Sequence, residues 1–211
     1  MTPLEKLGGI LFKFRDYTPI PIVIAALLFA DPTVLSLTLG FLVALFGEIA
    51  RTYGVAFIGT ISRTRSATSN GQLVQEGPFS LLRNPLYFGN LILTLGLSIM
   101  PGIAILPWAV VLIFYVQYIP IVLWEEQKLR GIFGQSYIDY CQKVPNRWFP
   151  SLAGLFKGGW FVQPDSWAPA LKSEKRTLTS FLAFVAVMLG LMLWQQNSEG
   201  QALPLVRYLF P

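Results

Sequence analysis

Polar and apolar positions alternate in long blocks along this chain, and the blocks predict helices. Apolar runs cover residues 17–30, 34–57, 86–100, 103–124 and 178–194. A helix needs about 20 apolar residues to cross a bilayer. The first run is short, and Pro19 and Pro21 interrupt its start. It reads as a tilted span that begins within "GILFKFRDY", or as half of a tight hairpin with the second run. Lys6, Lys13 and Arg15 precede it as in a signal peptide, but "LFA" is a poor cleavage site and further spans follow. It is therefore assigned to the mature chain. The short links "ADPT" and "MPG" predict two helical hairpins. Proline fits a helix start because its missing N–H would be unpaired there.

The expected fold is thus all-α: a polytopic bundle of about five transmembrane helices with a pocket on the cytoplasmic side. Four segments are expected. Residues 1–58 form an amino-terminal hairpin and 59–150 a core. Residues 151–177 form an interfacial loop with Trp anchors, and 178–211 an additional helix and tail. Basic residues set the orientation. Lys6, Lys13 and Arg15 lie before the first run, Arg63, Arg65 and Arg83 in the 58–85 loop, and eight more in 125–177. The links at 31–33 and 101–102 carry none, and the tail carries only Arg207. The amino terminus and both basic segments are placed in the cytoplasm, with the tail opposite.

Composition agrees. Of 211 residues, 54% are hydrophobic and 13% charged, and mean hydropathy is +0.55. A soluble domain carries about a quarter charged residues. One cysteine, Cys141, excludes an intrachain disulfide, and the lack of histidine argues against a metal site. It also removes the usual general base near neutral pH. The net charge of +5 is spread over loops and points to anionic lipid headgroups, not nucleic acid.

Two polar stretches interrupt this picture, and both are expected at the same membrane face. The first is "LVQEGPFSLLRNPLYFGN". Pro85 holds Asn84 out of the α region at a rigid turn. Tyr87 adds a ring and a hydroxyl, and Gly89 admits a close backbone or ligand. The second is "WEEQKLRGIFGQSYIDYCQKVPNRWFP". Glu125 and Glu126 are expected to end the fourth span, where adjacent carboxylates oppose the helix dipole. Arg83, Lys128, Arg130 or a bound cation would compensate them. Each of these residues also has an ordinary reading as a cap, an anchor or a solvated pair. Glu48 and Arg51, three apart on one helix face, are expected to pair structurally.

In order and spacing, these stretches resemble the isoprenylcysteine carboxyl methyltransferase and phospholipid methyltransferase group. The carrying residues are Leu73-Val74, Gly77-Pro78-Phe79, Arg83-Asn84-Pro85-Leu86-Tyr87-Phe88-Gly89, Glu125-Glu126, Phe133-Gly134, Tyr137, Tyr140, Val144, Arg147 and Pro150. The likeness covers about 40–150. It implies an integral membrane enzyme that moves a methyl group from S-adenosylmethionine to a lipophilic acceptor drawn from the bilayer. By this resemblance Leu73, Val74, Phe79, Asn84, Pro85, Tyr87 and Glu125 would contact the cofactor. For Leu73, Val74 and Phe79, interfacial packing is the competing role. Arg83 and Glu126 are the catalytic candidates, as an ion pair orienting the site or with Glu126 as a proton acceptor.

Asn84 stands where the group has histidine, and Phe79 where it has tyrosine. The arginine that precedes the acidic pair in prenylcysteine enzymes is missing from "YIPIVLW". The acceptor atom, N, O or S, stays open. Two alternatives stand beside this reading. One is an NADPH-dependent membrane reductase of the sterol type, which shares the Arg-x-Pro-x-Tyr stretch. The other is a non-enzymatic membrane subunit.

Overall fold

The computed structural model describes residues 2–58, 68–69 and 72–197. Arg63, Arg65 and Arg207, used above for orientation, lie outside the described residues. Among the described residues, eight α-helices follow in chain order: α1 Pro3–Phe14, α2 Ile20–Leu28, α3 Val34–Ile58, α4 Pro85–Ile99, α5 Leu106–Phe133, α6 Gln135–Lys143, α7 Leu152–Lys157 and α8 Ala168–Asn197. A 3₁₀ turn, Gly77–Ser80, precedes α4. Two short strands, β1 Thr68–Ser69 and β2 Gln72–Leu73, pair antiparallel between α3 and that turn.

Three helices, α3, α5 and α8, are long and apolar enough to cross a membrane, and α4 is a shorter apolar helix. The first apolar run does not form one long helix. Thr2 and Glu5 close a capping box at the start of α1, and α2 begins only after the break at residues 15–19. The second run matches α3 closely. The last helix starts ten residues before the apolar run does, so 168–177 are helical.

The α3–α4 pair is the tightest joint in the molecule. Gly40, Gly47 and Gly54 lie seven apart on α3, and Gly89 and Gly96 lie seven apart on α4. A Cβ at Gly47 would strike the Leu93 backbone, and one at Gly96 would strike the Ala44 backbone. Small residues let helices in lipid approach until backbones touch, where van der Waals packing is strongest. Gly89 admits a backbone here: its neighbour is Arg51 of α3. At the far end of the joint the Asp31 amide donates to the Pro101 carbonyl at 2.8 Å. The expected link turns therefore meet.

Helix α1 lies against α5. Gly8 sits on the Pro120 carbonyl, and Phe12 meets Trp124 at 5.1 Å between ring centroids. Helix α8 closes the other side by packing on α3. Tyr53 of α3 fastens the segment ahead of α8, its hydroxyl meeting the Trp160 carbonyl at 2.5 Å and the Val162 amide at 3.0 Å.

Candidate functional site

The site is built where the chain enters α4 and where α5 emerges from the bundle. Asn84 is the N-cap residue of α4, with φ −128° and ψ 60°, outside the α region as proline at the next position requires. Its side chain does not cap the helix. Instead the amide Nδ2 donates to the Arg147 carbonyl at 3.3 Å.

This bond is one of four that clasp the first stretch to the second. The Arg83 amide donates to the Asn146 carbonyl at 2.9 Å. The Arg83 guanidinium reaches the Pro145 carbonyl at 3.4 Å. The Tyr140 hydroxyl, buried on α6, donates to the Phe79 carbonyl at 2.8 Å. Burial raises the hydroxyl pKa of Tyr140, and burial followed by the Glu126 charge raises that of Tyr137. Both phenols therefore stay protonated at neutral pH and act here as donors or packing rings.

The acidic pair does not end its helix. Helix α5 runs on to Phe133, so Glu125 and Glu126 lie two turns inside it and the expected dipole penalty does not arise. Their side chains part company. Glu126 is 3% exposed and held by two arginines. Arg147 binds it bidentately at 3.0 and 2.8 Å, and Arg83 Nε lies 3.5 Å from Oε1. A buried carboxylate needs such partners, because losing its water shell costs several kcal/mol. Of the compensating residues expected, Arg83 takes part. Lys128 lies over the Trp124 ring at 5.6 Å and also acts on Glu125 through its charge. Arg147 was a motif position in the sequence but not a foreseen partner for Glu126.

Glu125 opens onto a cavity of about 630 Å³. Phe79, Arg83, Asn84, Pro85 and Tyr87 line the same cavity, so six of the nine predicted site residues share one space. Glu126 supports it from outside the lining. Leu73 packs with Tyr137, Tyr140 and Val144 under α6, and Leu73 and Val74 are not among the lining residues.

The remaining wall was not foreseen. Asn90, Thr94 and Tyr118 continue it into the bundle. Arg15 and Asp16 contribute from the α1–α2 break, Arg51 from α3, and Glu174, Arg176 and Thr177 from α8. Arg51 does not pair with Glu48. Its guanidinium binds Glu174 of α8 at 2.5 Å and Thr177 at 3.2 Å. Glu48 is 2% exposed, and neither of its oxygens finds a hydrogen-bond partner among the described residues. A signal for part of this wall was present. Tyr87, Asn90 and Thr94 fall at helical spacing, a polar stripe in an apolar run.

A predominantly helical membrane bundle with a polar cavity at the mouth of two helices defines the class of protein. The phospholipid methyltransferase family model matches residues 22–136, and the chain belongs to that family. It is an integral membrane protein. The chain is 35% identical over 115 residues to protein-S-isoprenylcysteine O-methyltransferase B of Arabidopsis thaliana, a match covering 51% of this chain and 56% of that one. It is 29% identical over 172 residues to the cobalt-zinc-cadmium resistance protein CzcN of Cupriavidus metallidurans, covering 78% and 73%. A shorter likeness, 32% over 80 residues, links it to the mouse delta(14)-sterol reductase TM7SF2 and covers 37% and 19%. The chain thus spans little more than half the length of the isoprenylcysteine methyltransferase it matches. No solved structure matches it.

Proposed function

We propose that this protein is a membrane methyltransferase that uses S-adenosylmethionine to methylate a lipophilic acceptor. What supports this reading is the lining of one cavity by Asn84, Pro85, Tyr87 and Glu125, drawn from two stretches about 40 residues apart. The cavity volume falls in the range of small-molecule sites, roughly 300–1,000 Å³. Its donor set suits a cationic, hydroxyl-bearing cofactor. Glu125 offers a carboxylate, Asn84 an amide oxygen left free by its bond to Arg147, and Phe79 and Tyr87 offer rings. When bound, the cofactor supplies an electrophilic methyl group on a positively charged sulfur.

The protein's part is positioning, which can contribute up to about 7–11 kcal/mol when reacting atoms are held in line. Glu125 meets positive charge or hydroxyls. Arg83 and Glu126, locked by Arg147, act as positioning residues that fix the α4 entry against α5. Where the acceptor is an amine, it arrives neutral and releases a proton once its new bond to carbon has formed. Asp16 lines the cavity and is exposed, so it can pass that proton to water. Residues 72–150 would then carry the cofactor side, and 2–58 with 178–197 the membrane wall. The active face is assigned to the cytoplasm, in a bacterial inner membrane or its equivalent.

Calorimetry on the detergent-purified protein tests this. S-adenosylmethionine is expected to bind, and Glu125→Ala to weaken binding about tenfold, the loss of one charged hydrogen-bonding group. Folded protein that gives no heat at millimolar cofactor overturns the reading. A thermal shift with NADPH but none with S-adenosylmethionine would favour the reductase alternative.

A further inference from the structure

A second cavity, of about 320 Å³, opens off the first. Pro19, Leu93, Thr94, Tyr118, Thr177 and Ser180 line both. It runs inward between α2, α4, α5 and α8, and its walls are almost wholly apolar, Val110, Phe114, Phe181 and Phe184 among them. At about 30 Å³ per water-sized group it holds roughly ten such groups, the size of one alkyl chain. Gln117 is the exception in this wall. It is 93% buried, as its 7% exposure records. Its Oε1 lies 2.8 Å from the Thr18 hydroxyl, which also reaches the Arg15 carbonyl at 3.0 Å. Its Nε2 finds no partner among the described residues.

A buried N–H without a partner is costly, and an apolar pocket cannot satisfy it with solvent. Something that occupies the pocket can. Gln117 lies eight residues before Glu125 on α5, about 12 Å along the axis at 1.5 Å per residue. We propose that the second cavity binds the apolar chain of the acceptor and that Gln117 Nε2 donates a hydrogen bond to a carbonyl oxygen on that chain. The oxygen lies about 12 Å from the methyl-transfer end. This selects lipids with an ester or similar carbonyl at that depth over bare hydrocarbon chains, which offer no acceptor there. Helix α8 closes the pocket from beyond the family-matched residues, while Gln117 lies within them. The inference depends on methyl transfer only in calling the ligand the acceptor.

The test uses the full-length protein in detergent and native mass spectrometry, with methyl decanoate, dodecane and 1-undecanol competing at equal concentrations. The ester is expected to bind about tenfold more tightly than the alkane, the discrimination one buried hydrogen bond provides. Gln117→Met, which keeps the bulk and loses the donor, should erase the preference while retaining dodecane. Thr18→Val keeps the donor and should retain the preference. Equal binding of ester and alkane to wild type overturns the inference, whatever the variants do. So does a preference for the alcohol alone, which would mean that the amide presents its oxygen. Calorimetry with S-adenosylmethionine on the same preparations separates the two readings. Equal probe binding with cofactor binding intact sinks only this inference. Ester preference without cofactor binding sinks only methyl transfer.

Discussion

The two walls of the cavity solve the same problem differently. The outer wall is the clasp between 77–89 and 125–150. Its central charge, Glu126, has three ion-pair or hydrogen-bond contacts from two arginines, and a backbone bond from the Arg83 amide to the Asn146 carbonyl ties the loops around it. The inner wall joins α3 to α8 within the bundle. There one arginine, Arg51, serves Glu174, and a second buried acid, Glu48, is left without a hydrogen bond. The outer wall is over-determined. The inner wall holds one more acid than its cation satisfies by hydrogen bonds.

The largest effect is expected at the clasp. Glu126→Ala leaves two guanidiniums, one of them 10% exposed, without their shared partner. Breaking a buried ion pair from one side costs about 3–5 kcal/mol. Thermal unfolding in detergent should show a large fall in midpoint. A change no larger than that of an exposed Glu→Ala substitution would mean that the clasp does not organise this wall.

The inner wall should respond less and in a coupled way. Glu174→Ala frees Arg51, but Glu48 stands one turn away on the same face and can take it up. The cost is expected at about 1–2 kcal/mol, rising when Glu48→Ala is added. Neighbours that share a partner typically couple by about 0.5–3 kcal/mol. A double-mutant cycle measures this. Strict additivity would show that Glu48 is no reserve partner, and the contrast between the walls would then rest on packing alone.

The same contrast governs what the sequence made legible. The outer wall is written locally. Asn84-Pro85 forces a turn, Tyr87 follows it, and Glu125-Glu126 sit conspicuously beside an apolar run. Short-range chemistry therefore exposes Asn84, Pro85, Tyr87 and Glu125. The inner wall is written across long separations. Arg51 and Glu174 are 123 residues apart, and nothing local to either names the other. Helical spacing pairs Arg51 with Glu48 because it sees only one helix. Likewise, hydropathy placed the last helix at its apolar run and missed the ten residues before it, which carry Glu174 and Thr177. The glycine stripe on α3 and α4 went unread because its meaning lies in the partner helix. Apolarity stops at Glu125-Glu126 and so predicts a helix end there, although the hydrogen-bonded helix continues to Phe133.

The smallest effect sharpens the clasp from its edge. Tyr140 and Phe79 are both buried, and their one polar contact is the 2.8 Å bond from the phenol to the carbonyl. Tyr140→Phe keeps the ring in its packing with Tyr137 and Val144 and removes only the donor. A hydrogen bond of this kind contributes about 1 kcal/mol net. Stability should therefore fall by about 1 kcal/mol. Cofactor affinity is the more telling measurement. Phe79 lines the cavity, and its backbone is held from behind by this bond alone among the second stretch's side chains. If the clasp sets the position of the Phe79 ring, Tyr140→Phe should weaken S-adenosylmethionine binding by more than its loss of stability suggests. An unchanged dissociation constant would assign the positioning to the Arg83–Glu126–Arg147 group and leave Tyr140 as packing.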